Sequence, residues 1–176
     1  MTNKIDWEFI GGLEGRGANI GYVPTKNSGV TIATGFDLKE KDEEFLLKIG
    51  ISESIVSKLQ NFCRLSGDKA KAVAQDLALK DDEVEEIDLC SKKYYAAKIM
   101  NQYNSRDPKE TFTNLTKGQQ TVIASVGFQY GSFSRTPTFI KHAVNGDWKL
   151  MEKELRNFND DFHTRRLKEA DYLWAK

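Results

Sequence analysis

The 176-residue chain predicts an α+β fold that is mostly α, with a small β element near the N-terminus of an otherwise helical domain. Three observations predict it. Residues 15–36, between Glu14 and Asp37, contain no acid and are dense in Gly, Asn, Pro and β-branched residues, the composition of short strands and turns. From Lys39 onward, apolar residues recur at helical spacing almost throughout, punctuated by capping and stop residues. No repeat and no linker interrupts the chain. One domain over 1–176 is therefore expected, with an N-lobe at about 12–80 and a C-lobe at about 81–176 that also takes the N-terminal helix.

Ile5, Phe9, Ile10 and Leu13 mark one face of a first short helix, capped by Asp6 or Asn3 and stopped at Gly15, so Glu14 falls at its C-terminal end. In GVTIATGFDL a straight strand would hold Thr31 and Asp37 about 20 Å apart. A hairpin with the three-residue loop Ala33-Thr34-Gly35 instead sets Thr31 opposite Asp37 and Ile32 opposite Phe36, with glycine where the loop needs a left-handed residue. A two-residue loop would pair Thr31 with Phe36. EKDEEFLLKIG buries Phe45, Leu46 and Ile49 and stops at Gly50; SESIVSKLQNFCRLSG opens at Ser52 and stops near Gly67. DKAKAVAQDLAL is short. DDEVEEIDLCSKKYYAAKIMNQY is a long helix near 81–104, acidic first and basic later, the order that a helix dipole favours. LTKGQQTVIASVGFQYG starts at Thr116 and ends at Gly131, Thr136 and Pro137 open the next helix, and GDWKLMEKELRNF and TRRLKEADYLWA follow.

The 26 basic residues balance 26 acids, which argues against an electrostatically driven nucleic-acid binder. Cys63 and Cys90 lie in helical patterns and read as small hydrophobes rather than a disulfide. No apolar run approaches a membrane span, and no membrane insertion is expected. The opening MTNKIDWEFIGG lacks the basic-then-apolar pattern of a Sec signal. His142 and His163 have no ligand-type partners at metal spacing, so no metal is expected, and Ser, Cys and His form no nucleophile constellation.

A carboxylate at a helix end and a second on a nearby hairpin, beside a threonine able to hold water, is the equipment of glycoside hydrolysis: one carboxylic acid protonates the leaving oxygen, the other carboxylate serves water. Spacing alone signals this weakly. The local words say more. LEG, a GY-containing turn, GVTIATGFDL, then ASVGFQYGSFSRTPTFIKHAVNGDW and HTRRLKEADYLW resemble, in order, elements of the phage-type lysozyme family, and the hairpin is most similar to its pesticin-like toxin branch. Residues 39–115 match only in being helical.

That resemblance implies a two-lobed lysozyme-like fold, its lobes joined by the long helix with a cleft between them. It implies a muramidase cleaving the β-1,4 bond between N-acetylmuramic acid and N-acetylglucosamine in peptidoglycan, with inversion and without a cofactor. Glu14 matches the general acid, a role that calls for partial burial, and Thr31 matches the threonine that positions water. Phage enzymes carry their aspartate between these two; here that interval has none, which moves the assignment to Asp37. Gln129 in FQYG resembles a cleft residue, with Tyr130 beside it, and Arg166, or alternatively Arg165, resembles an arginine that pairs with the catalytic glutamate. The implied partner is the peptidoglycan glycan strand, with an immunity protein and a delivery protein for a toxin; a monomer is expected. Without a signal peptide, the expectation is synthesis in the cytoplasm and action on the periplasmic wall after delivery by a secretion system, a larger toxin or a holin.

Taken singly, each residue has a plainer reading. Asp37 would cap the helix that follows, Thr31 would serve β propensity, Arg165 and Arg166 would be a solvated helix start, and Phe128 and Tyr130 would be core and rim. A phage endolysin, a non-catalytic wall-binding module on the same fold, and an interaction or receptor-binding domain are the alternatives.

Overall fold

The structure is a computed structural model describing residues 3–14 and 17–176. Its chain forms α1 (Trp7–Glu14), β1 (Ala18–Tyr22), β2 (Thr31–Ala33), β3 (Phe36–Asp37), α2 (Glu43–Lys48), α3 (Glu53–Leu59), α4 (Gly67–Val73), α5 (Asp81–Asn104), α6 (Lys117–Tyr130), α7 (Pro137–Val144), α8 (Trp148–Arg156) and α9 (His163–Tyr172). This is the expected α+β, mostly α architecture, with an antiparallel sheet in the order β1-β2-β3. Two compact units result, Glu14–Tyr94 and Met1–Leu13 with Tyr95–Lys176, so the division falls within α5.

The Glu14–Tyr94 unit has its own core, in which Val30, Ile32 and Leu38 of the hairpin pack with Leu46, Ile55, Leu59 and Ile87. The acids of α5 do more than suit the helix dipole, because they tie other elements down. Asp81 accepts from Asn19 at 2.6 Å, Glu86 from the Ser52 amide at 2.7 Å, and Asp88 from the Thr34 amide at 3.0 Å and the Thr34 hydroxyl at 2.7 Å. Charged acceptors strengthen such bonds roughly twofold over neutral ones. Cys63 and Cys90 are both free, as expected.

In the other unit, α6 is the central helix, buried from Gln120 to Gly127. A reciprocal capping box between Thr116 and Gln119 starts it and Gly131, at φ 69°, ends it. α1 is anchored there through side chains. The Lys4 amide donates to Gln120 and the Asp6 amide to the Thr121 hydroxyl, while Asp6 caps α1 by accepting from Phe9 N–H. Asp6 also takes Lys117 and the Tyr172 hydroxyl, each at 2.6 Å, and those cationic and hydroxyl donors hold its carboxyl well below the usual range. The Gly15 stop expected for α1 lies outside the described residues. Thr136 differs from expectation: it precedes Pro137 as predicted, yet its buried hydroxyl makes no capping bond. Its ψ of 54° lies outside the extended range that normally aims a cap at the first amides.

Candidate active site

β2 and β3 pair with Thr31 opposite Asp37 and Ile32 opposite Phe36. The three-residue loop is therefore the one present, and the register that would set Thr31 against Phe36 is excluded. Gly35 holds φ 77°, as the loop demands. Ala33 also takes a left-handed φ of 52°, a conformation that costs a non-glycine residue roughly 1–2 kcal/mol. Two things hold it: complete burial of Ala33, and the grip of Asp88 on Thr34. On the other side of β2, Tyr22 of β1 is paired with Thr31. Cross-strand partners share a sheet face, so Tyr22, Thr31 and Asp37 form one row.

Among the described residues, Asp37 is oriented by backbone donors. The Gly29 amide donates to both carboxylate oxygens at 3.2 Å, and the Lys39 amide donates to Oδ1 at 2.8 Å. Gly29 is required for this close approach. A Cβ there would lie 2.6 Å from Asp37 Oδ1 and 2.7 Å from Lys39 N. Asp37 does not cap α2; Asp42 does, accepting from Phe45 N–H at 2.9 Å. Thr31 is buried and its hydroxyl donates to the Gly29 carbonyl at 3.3 Å. With its proton so committed, the oxygen is left to accept.

Glu14 ends α1 and is exposed, which corrects the partial burial expected of it. The last helical position simply leaves it at the surface. Its carboxylate nevertheless faces the hairpin: Oε2 is 3.9 Å from where a Gly35 Cβ would stand. Tyr22, a residue that the sequence reading did not single out, reports on both acids. Partial desolvation, then the charges of Glu14 and Asp37, push its phenol above the ordinary value. Two carboxylates thus act on one hydroxyl. The GY word marked this residue, but only strand pairing shows that it joins the row.

Gln129, Tyr130, Arg165 and Arg166 are assembled in the other unit. Arg166 is fully buried, its guanidinium held by Asp160 at 2.9 Å and by Glu169, and it donates to Gln129 Oε1. The Tyr130 hydroxyl donates to Asp160 at 2.7 Å, and the Arg166 guanidinium lies 5.6 Å from the Tyr130 ring centre. Burial raises Asp160, but hydrogen bonds from Tyr130, the Phe162 amide and Arg166 outweigh it and hold its carboxyl below the usual range. Arg165, mostly buried, donates to Glu169 at 3.0 Å and to Ser125. Neither arginine is a solvated helix start. Arg166 has no exposed atom to offer a substrate, so its assignment as a binding residue is corrected to one that positions Gln129 and Tyr130.

A family model described as "Pesticin: Bacterial toxin homologue of phage lysozyme, C-term" matches residues 4–149. No curated protein sequence matches the chain.

Proposed function

Since the chain belongs to the pesticin family, bacterial toxin homologues of phage lysozyme, we propose that it is a muramidase, the lytic domain of an antibacterial toxin. The observation that carries this reading is the Thr31–Asp37 register with Gly29 beneath it. Asp37 Oδ1 takes two amide donors and Oδ2 only one, at 3.2 Å, which leaves Oδ2 the freer oxygen to receive a proton. Thr31, its own proton engaged, accepts from the same water and fixes its direction.

In the reaction, Glu14 donates its proton to the glycosidic oxygen as the bond from the anomeric carbon of N-acetylmuramic acid breaks. Water, losing a proton to Asp37, attacks that carbon from the opposite face, and the configuration inverts. A glycan laid against the exposed Glu14 would exclude water from it, supplying the cover that the free protein lacks. Tyr22 shares the sheet row with Thr31 and Asp37, and its phenol feels the charge of both carboxylates. As a toxin domain the protein would act on the periplasmic wall after delivery, and the producing cell would require an immunity protein.

The test is reducing-end release from purified peptidoglycan by wild type, Glu14→Gln and Asp37→Asn, with the first-formed anomer read by NMR. Release that both substitutions abolish in folded protein supports the mechanism. Wall binding without release by the wild type overturns it.

A further inference from the structure

The turn Asn145–Gly146–Asp147 joins α7 to α8, and two cavities open on it. One, of about 380 Å³, is lined by Trp148, Trp174, Leu150, Lys149, Asp147 and Gly146. The other, of about 150 Å³, is lined by Tyr103, Lys109, Glu110, Asn145 and, again, Gly146 and Trp148. The Trp148 indole therefore serves both. Gly146 leaves room on this shared edge: the nearest atoms to a Cβ there would be Lys109 Cδ at 3.8 Å and Trp148 Nε1 at 3.9 Å.

Trp174 and Leu150 are each 50% exposed, so both offer apolar surface to a ligand. Trp174 is also fixed. Its indole N–H donates to Glu152 at 3.0 Å, and Glu152 is in turn held by two bonds from Arg156. An exposed indole whose plane is set in advance is a preorganised platform. The charges along the groove cancel, Lys109 and Lys149 against Glu110 and Asp147. Such a lining does not select a charged ligand. It suits a neutral one with flat C–H faces for the two indoles and a rim of hydroxyl and amide groups for Asn145 and the charged tips.

We propose that this groove is a second, non-catalytic site that binds the N-acetylated β-1,4-linked glycan strand of the cell wall. Leu150 and Trp174 lie beyond the residues that the family model matches, whereas the rest of the lining lies within them. The choice of the wall strand as ligand rests on the proposed function; the pyranose chemistry does not. A second site on one chain keeps the protein at the wall between cleavages by raising the effective concentration of the next bond.

The test is a titration of ¹⁵N-labelled Glu14→Gln protein with chitohexaose, following the three indole N–H signals of Trp7, Trp148 and Trp174. The Trp148 and Trp174 signals should move together while Trp7 stays. Trp174→Ala should weaken the binding seen at Trp148 about tenfold, and Trp174→Phe should restore most of it. Unmoved Trp148 and Trp174 signals, or unchanged binding in Trp174→Ala, overturn the proposal. Reducing-end release by the wild type is measured separately. Shifts without release keep the groove and reject the muramidase; release without shifts rejects the groove alone.

Discussion

Asp37 and Glu169 are carboxylates held in opposite ways. Among the described residues, Asp37 accepts from the amides of Gly29 and Lys39 alone, and no ion pair reaches it. Glu169 is fully buried and gripped by Arg165, Arg166 and Ser125. An amide orients a carboxylate without cancelling its charge, whereas a guanidinium cancels it. The first is the acid that the proposed mechanism assigns to water; the second makes a rigid joint. Under the proposed mechanism, the local hardware separates a reacting acid from a structural one, although both are ringed by hydrogen bonds.

Exchanging the two roles would break this contrast most visibly. Asp37→Asn should cost about 10²–10⁴-fold in turnover yet less than about 1 kcal/mol in stability, since its amide partners remain. Arg166→Met should do the reverse, costing about 3–5 kcal/mol in urea unfolding by leaving Asp160 and Glu169 underpaired. If Asp37→Asn unfolds the protein while Arg166→Met leaves it intact, the distinction is lost. Gly29→Ala sharpens it further. The added methyl would collide with the Asp37 carboxylate and the Lys39 backbone, so turnover should fall about 10²-fold and stability by about 1–3 kcal/mol. Asp88→Ala removes two bonds from the hairpin tip, and about 2 kcal/mol of stability should go with them in thermal unfolding.

Acid titration should show the smallest effect. Asp6, whose carboxyl is depressed in the folded state, contributes stability that is present above about pH 4 and lost as pH falls toward its folded value. A stability-against-pH curve for Asp6→Asn should accordingly be flatter than wild type below pH 4. Parallel curves would remove Asp6 from the acid limb.

Much of this was legible in the sequence, for reasons that vary by residue. Gly35 favoured the three-residue loop and with it the Thr31–Asp37 register, while a two-residue loop stayed open until the strand pairing excluded it. Thr116 and Gly131 announced both ends of α6. Local chemistry writes local structure. Gly29 did not announce itself, because its need for hydrogen in place of a side chain arises from an approach by residues 37 and 39. Tyr22 joined the row only through a strand pairing that carries an irregularity between Ala18 and Tyr22. The burial of Arg165 and Arg166 was equally hidden, since TRRLKEADY has the composition of a solvated helix and only α6 with the Asp160 loop conceals it. Spacing in the chain cannot forecast which surface will be covered from far away.

The division of the chain also bears on how it can assemble. Glu14–Tyr94 is one unbroken stretch, so a nascent or threading polypeptide can complete it while the remainder is still to come. The other unit is split, and α1 must wait for partners far downstream: Gln120, Thr121 and finally Tyr172, 166 positions after the aspartate that it meets. α1 is thus seated by contacts of long sequence separation, the kind whose loop-closure entropy must be met before they form.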